Sequence, residues 1–226
     1  MKIRVKFAKR GVLKYIGHLD LMRYFQKAFR RTDINVLYSK GFNPHMIMSF
    51  AAPLGVGLES EGEYFDVETA DDENVDLMAD KLNEQMAEGI EVLKVVKLPE
   101  NSVNAMASVK AADYELRFDS ASPLSQEFLD TYNNSEELIF TKPTKRSEKT
   151  FNVKEFIYDL KIIDSNNLFI RTDASSAGNL KPQIALEAIL SKMGLDINDY
   201  PFHIFRLEIY QEDKNGGLIT LGDFNE

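Results

Sequence analysis

The sequence predicts an α+β fold in which one order of strands and helices occurs twice. Segments in which charged and apolar residues alternate, the period of a strand, lie beside segments with apolar residues every three or four positions, the period of a helix. The first part of the chain has the order strand, helix, strand, strand, helix, strand, and a similar order follows residue 112. A chain of 226 residues, 44% of them hydrophobic, is long enough for two small domains. We therefore expect two tandem ferredoxin-like, or split βαβ, domains.

The first domain is predicted over residues 1–98. Lys2–Phe7 alternates charged and apolar residues, which indicates an edge or half-buried strand. His18–Arg31 places apolar residues on one side and basic residues largely on the other, which indicates an amphipathic helix. The other elements are strands at Asn35–Tyr38, Gly62–Glu68 and Ile90–Val96, and a helix at Asn74–Glu88 with Asp71 or Asp72 as its N-cap and Gly89 at its end. Met46–Ala51 is an apolar, extended segment.

The second domain is predicted over residues 112–212, after a linker at 99–111 and before a tail at 213–226. The linker contains Pro99 and small residues, with room for a short helix. Pro182–Met193 begins with proline and is followed by Gly194, which is typical of a helix. The other elements are strands at Tyr114–Phe118, Glu137–Thr141, Phe156–Ile163, Asn167–Thr172 and Phe202–Tyr210, a helix at Leu124–Tyr132 with Ser122 as its cap, and an edge strand or frayed end at Leu218–Leu221.

Charge is distributed unevenly along the chain. The whole chain carries −9, yet residues 1–50 hold 11 basic and two acidic side chains, which gives +9. The remaining residues hold 16 basic and 34 acidic side chains, which gives −18. The total charge argues against nucleic acid binding. The basic N-terminal region favours it, because a polyanion responds to the local electrostatic field. The alternative is two solvated faces of opposite sign.

The chain contains no cysteine, which excludes disulfides, Cys-ligated zinc, thiolate nucleophiles and cysteine-bound iron–sulfur clusters. No segment resembles a signal peptide or approaches the roughly 18 apolar residues of a membrane helix. No HExxH, GxSxG or phosphate-loop motif occurs. We expect a cytoplasmic protein that has no cofactor and does not bind a membrane.

The most informative segments are the start of the first helix and the loop before Met46. His18 and Asp20 lie at a predicted helix N-terminus, where backbone amides favour anions. If the loop folds back onto this end, the polar side chains form one patch: His18, Asp20, Arg23, Asn43 and His45. Two histidines can act as acid and base, or bind a metal with Asp20. The architectural alternative is that Asp20 caps the helix and the histidines bond to loop backbone.

Basic side chains suited to phosphate contacts fall in two places. On the first helix and the following loop they are Arg23, Lys27, Arg30, Arg31 and Lys40. At a predicted hairpin tip in the second half they are Lys142, Lys145, Arg146 and Lys149, for which a solvated turn is the alternative. Phe42, Phe50 and Tyr64 are either stacking platforms for bases or core residues.

The motifs resemble a bacterial family of unknown function, the radical-SAM-linked, or radical-SAM-associated, proteins. The resemblance is carried by Gly17-His-Leu-Asp20 with Arg23, Ser39-Lys-Gly41-Phe42-Asn43-Pro44-His45, Ser49–Gly57, Ser60–Asp66, Ala112–Tyr114 and Lys142–Lys149. Residue 17 is glycine where the family pattern has serine, so the usual helix cap is missing. The resemblance implies a radical SAM protein as partner and suggests RNA as a second partner. Because a radical SAM enzyme needs a CxxxCxxC site, this chain would be the accessory component.

Three functions follow from these observations. The first is an accessory RNA-binding or substrate-presenting module that acts with a radical SAM enzyme. The second is a protein-interaction adaptor without RNA binding, in which the Phe42–Phe50 loop docks a partner. The third is a metal-independent endoribonuclease that uses His18 and His45. The sequence favours the first over the second, and both over the third.

Overall fold

A computed structural model describes residues 1–70, 74–143 and 148–224, without the side chains at positions 142, 143 and 149. Its strands are mostly antiparallel and its helices are few, so the predicted α+β class is confirmed. The contacts divide the chain into two units. Unit 1 holds residues 1–110 and 208–226, and unit 2 holds residues 111–207.

Both units contain strands and helices. Unit 1 begins with β1 (Lys2–Lys9), α1 (His18–Phe29), β2 (Met48–Phe50), β3 (Glu59–Glu68), α2 (Val75–Asn83), β4 (Ile90–Lys97) and α3 (Ala105–Ser108). Unit 2 contains β5 (Ala111–Phe118), α4 (Gln126–Asn134), β6 (Ile139–Pro143), β7 (Glu148–Asn152), β8 (Ile157–Ile162), β9 (Asn167–Asp173) and α5 (Pro182–Lys192). Strand β10 (Phe202–Glu212) begins in unit 2 and ends in unit 1, where β11 (Leu218–Thr220) pairs with it.

Strand β1 is a central strand of the unit 1 sheet and not the predicted edge or half-buried strand. It is antiparallel to β3 on one side and to β4 on the other, so that Val5 lies opposite both Phe65 and Val95. Strand β2 also pairs with β3, with Phe50 opposite Phe65. The charged residues Arg4 and Lys9 of β1 are buried together with its apolar residues. The alternation of charged and apolar residues therefore predicts the strand correctly, but the prediction that its charged side is exposed is wrong for Arg4.

Helix α1 packs on this sheet through an aromatic cluster. The rings of Phe7, Phe25, Phe50 and Phe65 have centroids 4.7–6.3 Å apart, in tilted and edge-to-face arrangements. The buried residues of the helix are Leu21, Phe25, Ala28 and Phe29. An α-helix has 3.6 residues per turn, so these positions lie on one side of α1 and the opposite side faces solvent.

Two predicted elements of unit 1 differ in the structure. Asn35–Tyr38 is not a strand, since only single bridges join Val36 to Thr69 and Tyr38 to Met46. Helix α2 ends at Asn83 and not at the expected Glu88, and the Asn83 side chain bonds the backbone of Val92 at 2.8 and 2.9 Å. Asn74 caps α2 through the amide of Asp76, while the expected caps Asp71 and Asp72 lie outside the described residues.

In unit 2, strand β9 lies between β5 and β8, and β6 pairs with β7 in a separate two-stranded sheet. Asp113 of β5 and Arg171 of β9 lie directly opposite and form a bidentate pair at 2.6 and 2.8 Å. Helix α4 is capped by Ser125 and not by Ser122. No helix in the described ranges is long and apolar enough to cross a membrane.

Candidate nucleic-acid interface

The outer face of α1 carries a line of basic side chains. Arg23, Lys27 and Arg30 follow one another at spacings of four and three residues, and all three are exposed. Arg31 and Lys40, which follow the helix, are also exposed. We call the outer side of the helix, defined by Arg23, Lys27 and Arg30, the α1 face. The structure thus brings three of the predicted basic residues into one surface line.

Most other basic side chains of unit 1 have a carboxylate partner. These pairs are Lys2–Asp66, Arg4–Asp66, Lys6–Glu208, Arg10–Glu61, Arg10–Glu91, Lys81–Asp33, Lys94–Asp223 and Lys110–Glu212. Within the ranges that the structure describes, no ion pair involves Lys14, Lys27, Arg30, Arg31, Lys40 or Lys214. With the exception of Lys214, these cations fall between residues 14 and 40. No acidic residue occurs between Asp33 and Glu59 to neutralise Lys40 locally.

The start of α1 does not have the predicted side-chain cap. The N-cap residue is Gly17, which has no side chain to accept a hydrogen bond, and Asp20 lies in the first turn. Asp20 accepts instead from Arg23, with 3.2 Å between Oδ1 and Nη1, and both side chains are exposed. The interpretation of Asp20 as the cap is therefore wrong. Its charge still complements the positive end of the helix dipole.

Residues 37–47 form a small hairpin, here called the 37–47 hairpin, that carries the predicted loop at its tip. The Ser39 amide donates to the His45 carbonyl at 2.8 Å, and the His45 amide donates to Ser39 Oγ at 3.0 Å. The Ser39 hydroxyl also lies 2.8 Å from His45 Nδ1. Gly41 has a φ of +118°, a conformation that favours glycine. These bonds close the tip and leave residues 40–45 exposed.

The base of the 37–47 hairpin is attached to strand β3. The Leu37 amide donates to the Glu68 carbonyl at 2.8 Å, and the Ile47 amide returns a bond to the Leu37 carbonyl at 3.1 Å. Strand β2 begins directly after this hairpin and delivers Phe50 to the aromatic cluster. The exposed tip is therefore fixed to the same buried sheet on which α1 packs.

Phe42, Phe50 and Tyr64 have different environments. Phe50 and Tyr64 are buried in unit 1, so these two are core residues. Phe42 is fully exposed at the hairpin tip. Of the three aromatics considered in the sequence, only Phe42 is placed where it can contact another molecule.

The two histidines have separate partners. The ring of His18 lies edge-on against Phe50, with 5.1 Å between the centroids, whereas His45 contacts Ser39. In the part of the chain that the structure describes, no hydrogen bond or ring contact joins them, and no group of three or more acidic or histidine side chains is arranged for a metal ion. Asn43 is exposed beside His45, and Pro44 lies between them. The geometry gives no support for paired acid–base chemistry at this place.

A buried ion pair that the sequence did not reveal holds β1, β3 and two later segments together. Arg4 lies opposite Asp66 in the strand pairing and donates two hydrogen bonds to its carboxylate, at 2.7 and 3.1 Å. Arg4 also donates to the carbonyls of Val103 and Leu221, and Asp66 accepts from the Ala105 amide at 2.7 Å. Because both charges are buried and each is held by several hydrogen bonds, their role is to organise unit 1.

Glu208 gathers a second polar cluster in unit 1. It accepts from Tyr64 Oη at 2.7 Å and from Lys6 Nζ at 2.6 Å. Burial raises the pKa of Tyr64, and the Glu208 carboxylate raises it further, so the phenol stays protonated as a donor. Lys6 is consequently neutralised by its partner, in contrast to Lys27 and Arg30 of the α1 face.

The predicted basic tip in unit 2 falls largely outside the described residues. Lys145 and Arg146 lie within the gap at 144–147, and for Lys142 and Lys149 only the backbone is described, paired across β6 and β7. The candidate interface is therefore described by unit 1 residues alone, those of the α1 face and the 37–47 hairpin.

A family model described as "Uncharacterized protein conserved in bacteria (DUF2344)" matches residues 2–182. No curated protein matches the chain. Among solved structures, a chain of a Cbf5-Nop10-Gar1 complex is 12% identical with a TM-score of 0.47, and the match covers 98% of this chain and 53% of that chain. An unknown protein from Galdieria sulphuraria is 11% identical with a TM-score of 0.30, covering 91% and 96%. The present chain thus spans about half the length of the first of these, and neither similarity is close enough to indicate function.

Proposed function

The chain belongs to the DUF2344 family of proteins conserved in bacteria, and for this member we propose an RNA-binding function carried by unit 1. The proposed surface consists of the α1 face and the tip of the 37–47 hairpin. One observation supports it most directly: cations without an ion pair collect between residues 14 and 40 of the described chain, whereas most other cations of unit 1 are paired.

Unpaired cations matter because binding to a polyanion is driven largely by the release of its condensed counterions. A lysine already held by a carboxylate, as Lys94 is by Asp223, contributes little to that release. Lys27, Arg30 and Lys40 have no such competitor among the described residues. This explains how a chain with a net charge of −9 would bind RNA through one region.

The proposal is tested with the full chain and a fluorescein-labelled RNA oligonucleotide, by fluorescence anisotropy over a series of salt concentrations. We expect binding at about 50 mM salt and a log–log slope of roughly −0.7 for each phosphate contacted on a single strand. Absence of binding at about 50 mM salt would contradict the proposal.

We also propose that the chain acts as the accessory component beside a radical SAM enzyme. The motif resemblance supports this partnership, and the lack of cysteine is consistent with an accessory role. A pull-down of the radical SAM protein with this chain, performed with and without ribonuclease, tests it. Capture that is lost after ribonuclease treatment indicates a link through RNA, and absence of capture in both cases contradicts the partnership.

A protein-interaction adaptor is the second candidate function, favoured by exposed apolar side chains before α1 and in its first turn. Val12, Tyr15 and Leu19 are exposed large hydrophobic residues of unit 1. The Gly57 amide donates to the Lys14 carbonyl at 2.8 Å, which brings the exposed Val56 close to this segment. Capture of the partner that resists ribonuclease and is lost in a Leu19→Asp variant would favour the adaptor.

We further propose that each unit is a ferredoxin-like fold. In unit 1 the neighbours run β4, β1, β3 and β2, and in unit 2 they run β10, β5, β9 and β8. These orders match the split βαβ arrangement, with the β6–β7 pair as an insertion in unit 2.

A further inference from the structure

We propose that Phe42 stacks on an unpaired base of the bound RNA, so that the chain binds single-stranded RNA in preference to duplex RNA. This inference rests on the proposed RNA binding and names the form of RNA that the same surface selects. It follows from the position of one aromatic ring and from the bonds that hold it there.

The Phe42 ring is presented to solvent by a closed turn. Among the described residues it makes no ring contact, and its side chain is fully exposed. Because Phe42 is exposed, its ring does not contribute the free energy that burial of an apolar side chain gives to folding. The Ser39–His45 bonds and the left-handed Gly41 set the conformation of the turn before any ligand arrives. A preformed turn loses less entropy when its tip binds.

The surroundings of Phe42 suit a nucleotide better than an apolar protein pocket. Lys40 lies two residues before the ring and can reach a phosphate, while Asn43 next to it offers amide donors and acceptors for a base edge. No acidic residue lies in the hairpin to repel the RNA backbone. Aromatic stacking on bases combined with nearby cations is the usual chemistry of single-strand binding.

Base faces are available only where RNA is unpaired. In an A-form duplex each base is stacked between its neighbours, and recognition is limited to backbone, 2′-hydroxyls and groove edges. A single exposed ring such as Phe42 would thus add affinity for single strands and none for a duplex. The cations of the α1 face, in contrast, would contribute to both forms through phosphates.

The test compares one RNA sequence as a single strand and as a duplex, against the full wild-type chain and two variants. Phe42→Leu keeps apolar bulk and removes the π face, and Phe42→Tyr restores it. Thermal unfolding checks that both variants fold. We expect the wild type to favour the single strand, Phe42→Leu to weaken single-strand binding about tenfold without changing duplex binding, and Phe42→Tyr to recover it.

Each other outcome overturns the inference. Equal affinity of the wild type for both RNA forms contradicts base stacking by Phe42. An equal loss of affinity for both forms in Phe42→Leu contradicts it as well. Unchanged RNA binding by Phe42→Leu, together with loss of a ribonuclease-resistant protein partner, assigns the ring to a protein contact. If the wild type binds neither RNA, the proposed function itself fails, and this result differs from every result above.

Discussion

Ser39 and His45 hold the two sides of the exposed hairpin together. The Ser39 hydroxyl lies 2.8 Å from His45 Nδ1 and accepts the His45 amide at 3.0 Å. The histidine thus has an architectural role in this structure, because its ring nitrogen is engaged in closing the turn. The hydroxyl is the common atom of both bonds, so its removal should loosen the tip without disturbing the core.

The first prediction concerns Ser39→Ala. The variant loses both side-chain bonds, and since the site is exposed, the free energy of unfolding should fall by no more than about 1 kcal/mol. Single-strand RNA affinity should fall several-fold, because the tip must then be ordered on binding. Anisotropy titrations and chemical denaturation measure the two effects. Ser176→Ala, at another exposed serine, is the control, and equal RNA affinity in both variants would show that the closed tip is unimportant.

The second prediction concerns the buried pair of Arg4 and Asp66. Asp66→Asn keeps the shape of the side chain but leaves the guanidinium buried without its counter-charge, which should cost about 3–5 kcal/mol. Urea denaturation measures the loss, and hydrogen exchange should show earlier opening near Ala105 and Leu221, whose backbones bond to the pair. Asp33→Asn is the control, because Asp33 pairs with Lys81 at the surface. A loss as small as in the control would contradict the organising role.

The third prediction concerns the pH dependence of unit 2. Burial tends to raise the pKa of Asp173, but hydrogen bonds from Tyr158, Ser175 and Asn179 outweigh it and hold the pKa below its ordinary value. A carboxyl with a lowered folded pKa stabilises the fold above its unfolded pKa of about 3.9, and this contribution is lost as the pH falls through the folded pKa.

Tyr158→Phe removes the donor at 2.6 Å from Asp173 Oδ2 and should lower the free energy of unfolding by about 1 kcal/mol at pH 7. The difference from the wild type should shrink as the pH falls below the ordinary carboxyl pKa and through the lowered pKa of Asp173, where the folded carboxyl becomes protonated. Denaturant titrations at several pH values measure it. Tyr132→Phe is the control, since no hydrogen bond of that hydroxyl occurs among the described residues. A difference that is constant from pH 7 to pH 3 would contradict the assignment.

The sequence predicts the placement of α1 well because its apolar spacing is regular and the aromatic residues of β1, β2 and β3 provide one buried partner surface. It fails at β1, because Arg4 looks like a surface residue until its strand partner is known to be Asp66. Pairing between distant strands is not visible in local alternation. The same limit applies to Tyr64, whose partner Glu208 lies far along the chain.

The site shows a similar division. Helical spacing alone places Arg23, Lys27 and Arg30 on one surface line. The predicted patch of His18 with His45 depended on the loop folding back onto the start of α1. In the structure His45 bonds to Ser39 within the 37–47 hairpin, and His18 contacts Phe50. Residue type alone does not separate the exposure of Phe42 from that of Phe50. The difference comes from their surroundings, because Phe42 lies in the polar, turn-rich run Ser39–His45 and Phe50 in the apolar segment Met46–Ala51.

The most direct test of the account measures how RNA binding depends on salt in a Lys27→Glu, Arg30→Glu double variant. Lys192→Glu, Lys214→Glu is the matched control: it changes the net charge equally, at two exposed lysines for which no ion pair occurs among the described residues. We predict that the first double variant loses at least about tenfold in affinity and that its log–log salt slope flattens by about 1.4, the share of two phosphate contacts on a single strand. The control should retain the wild-type slope. If the α1 face variant keeps the wild-type affinity and slope, or if the control loses as much, the α1 face is not the RNA-binding surface.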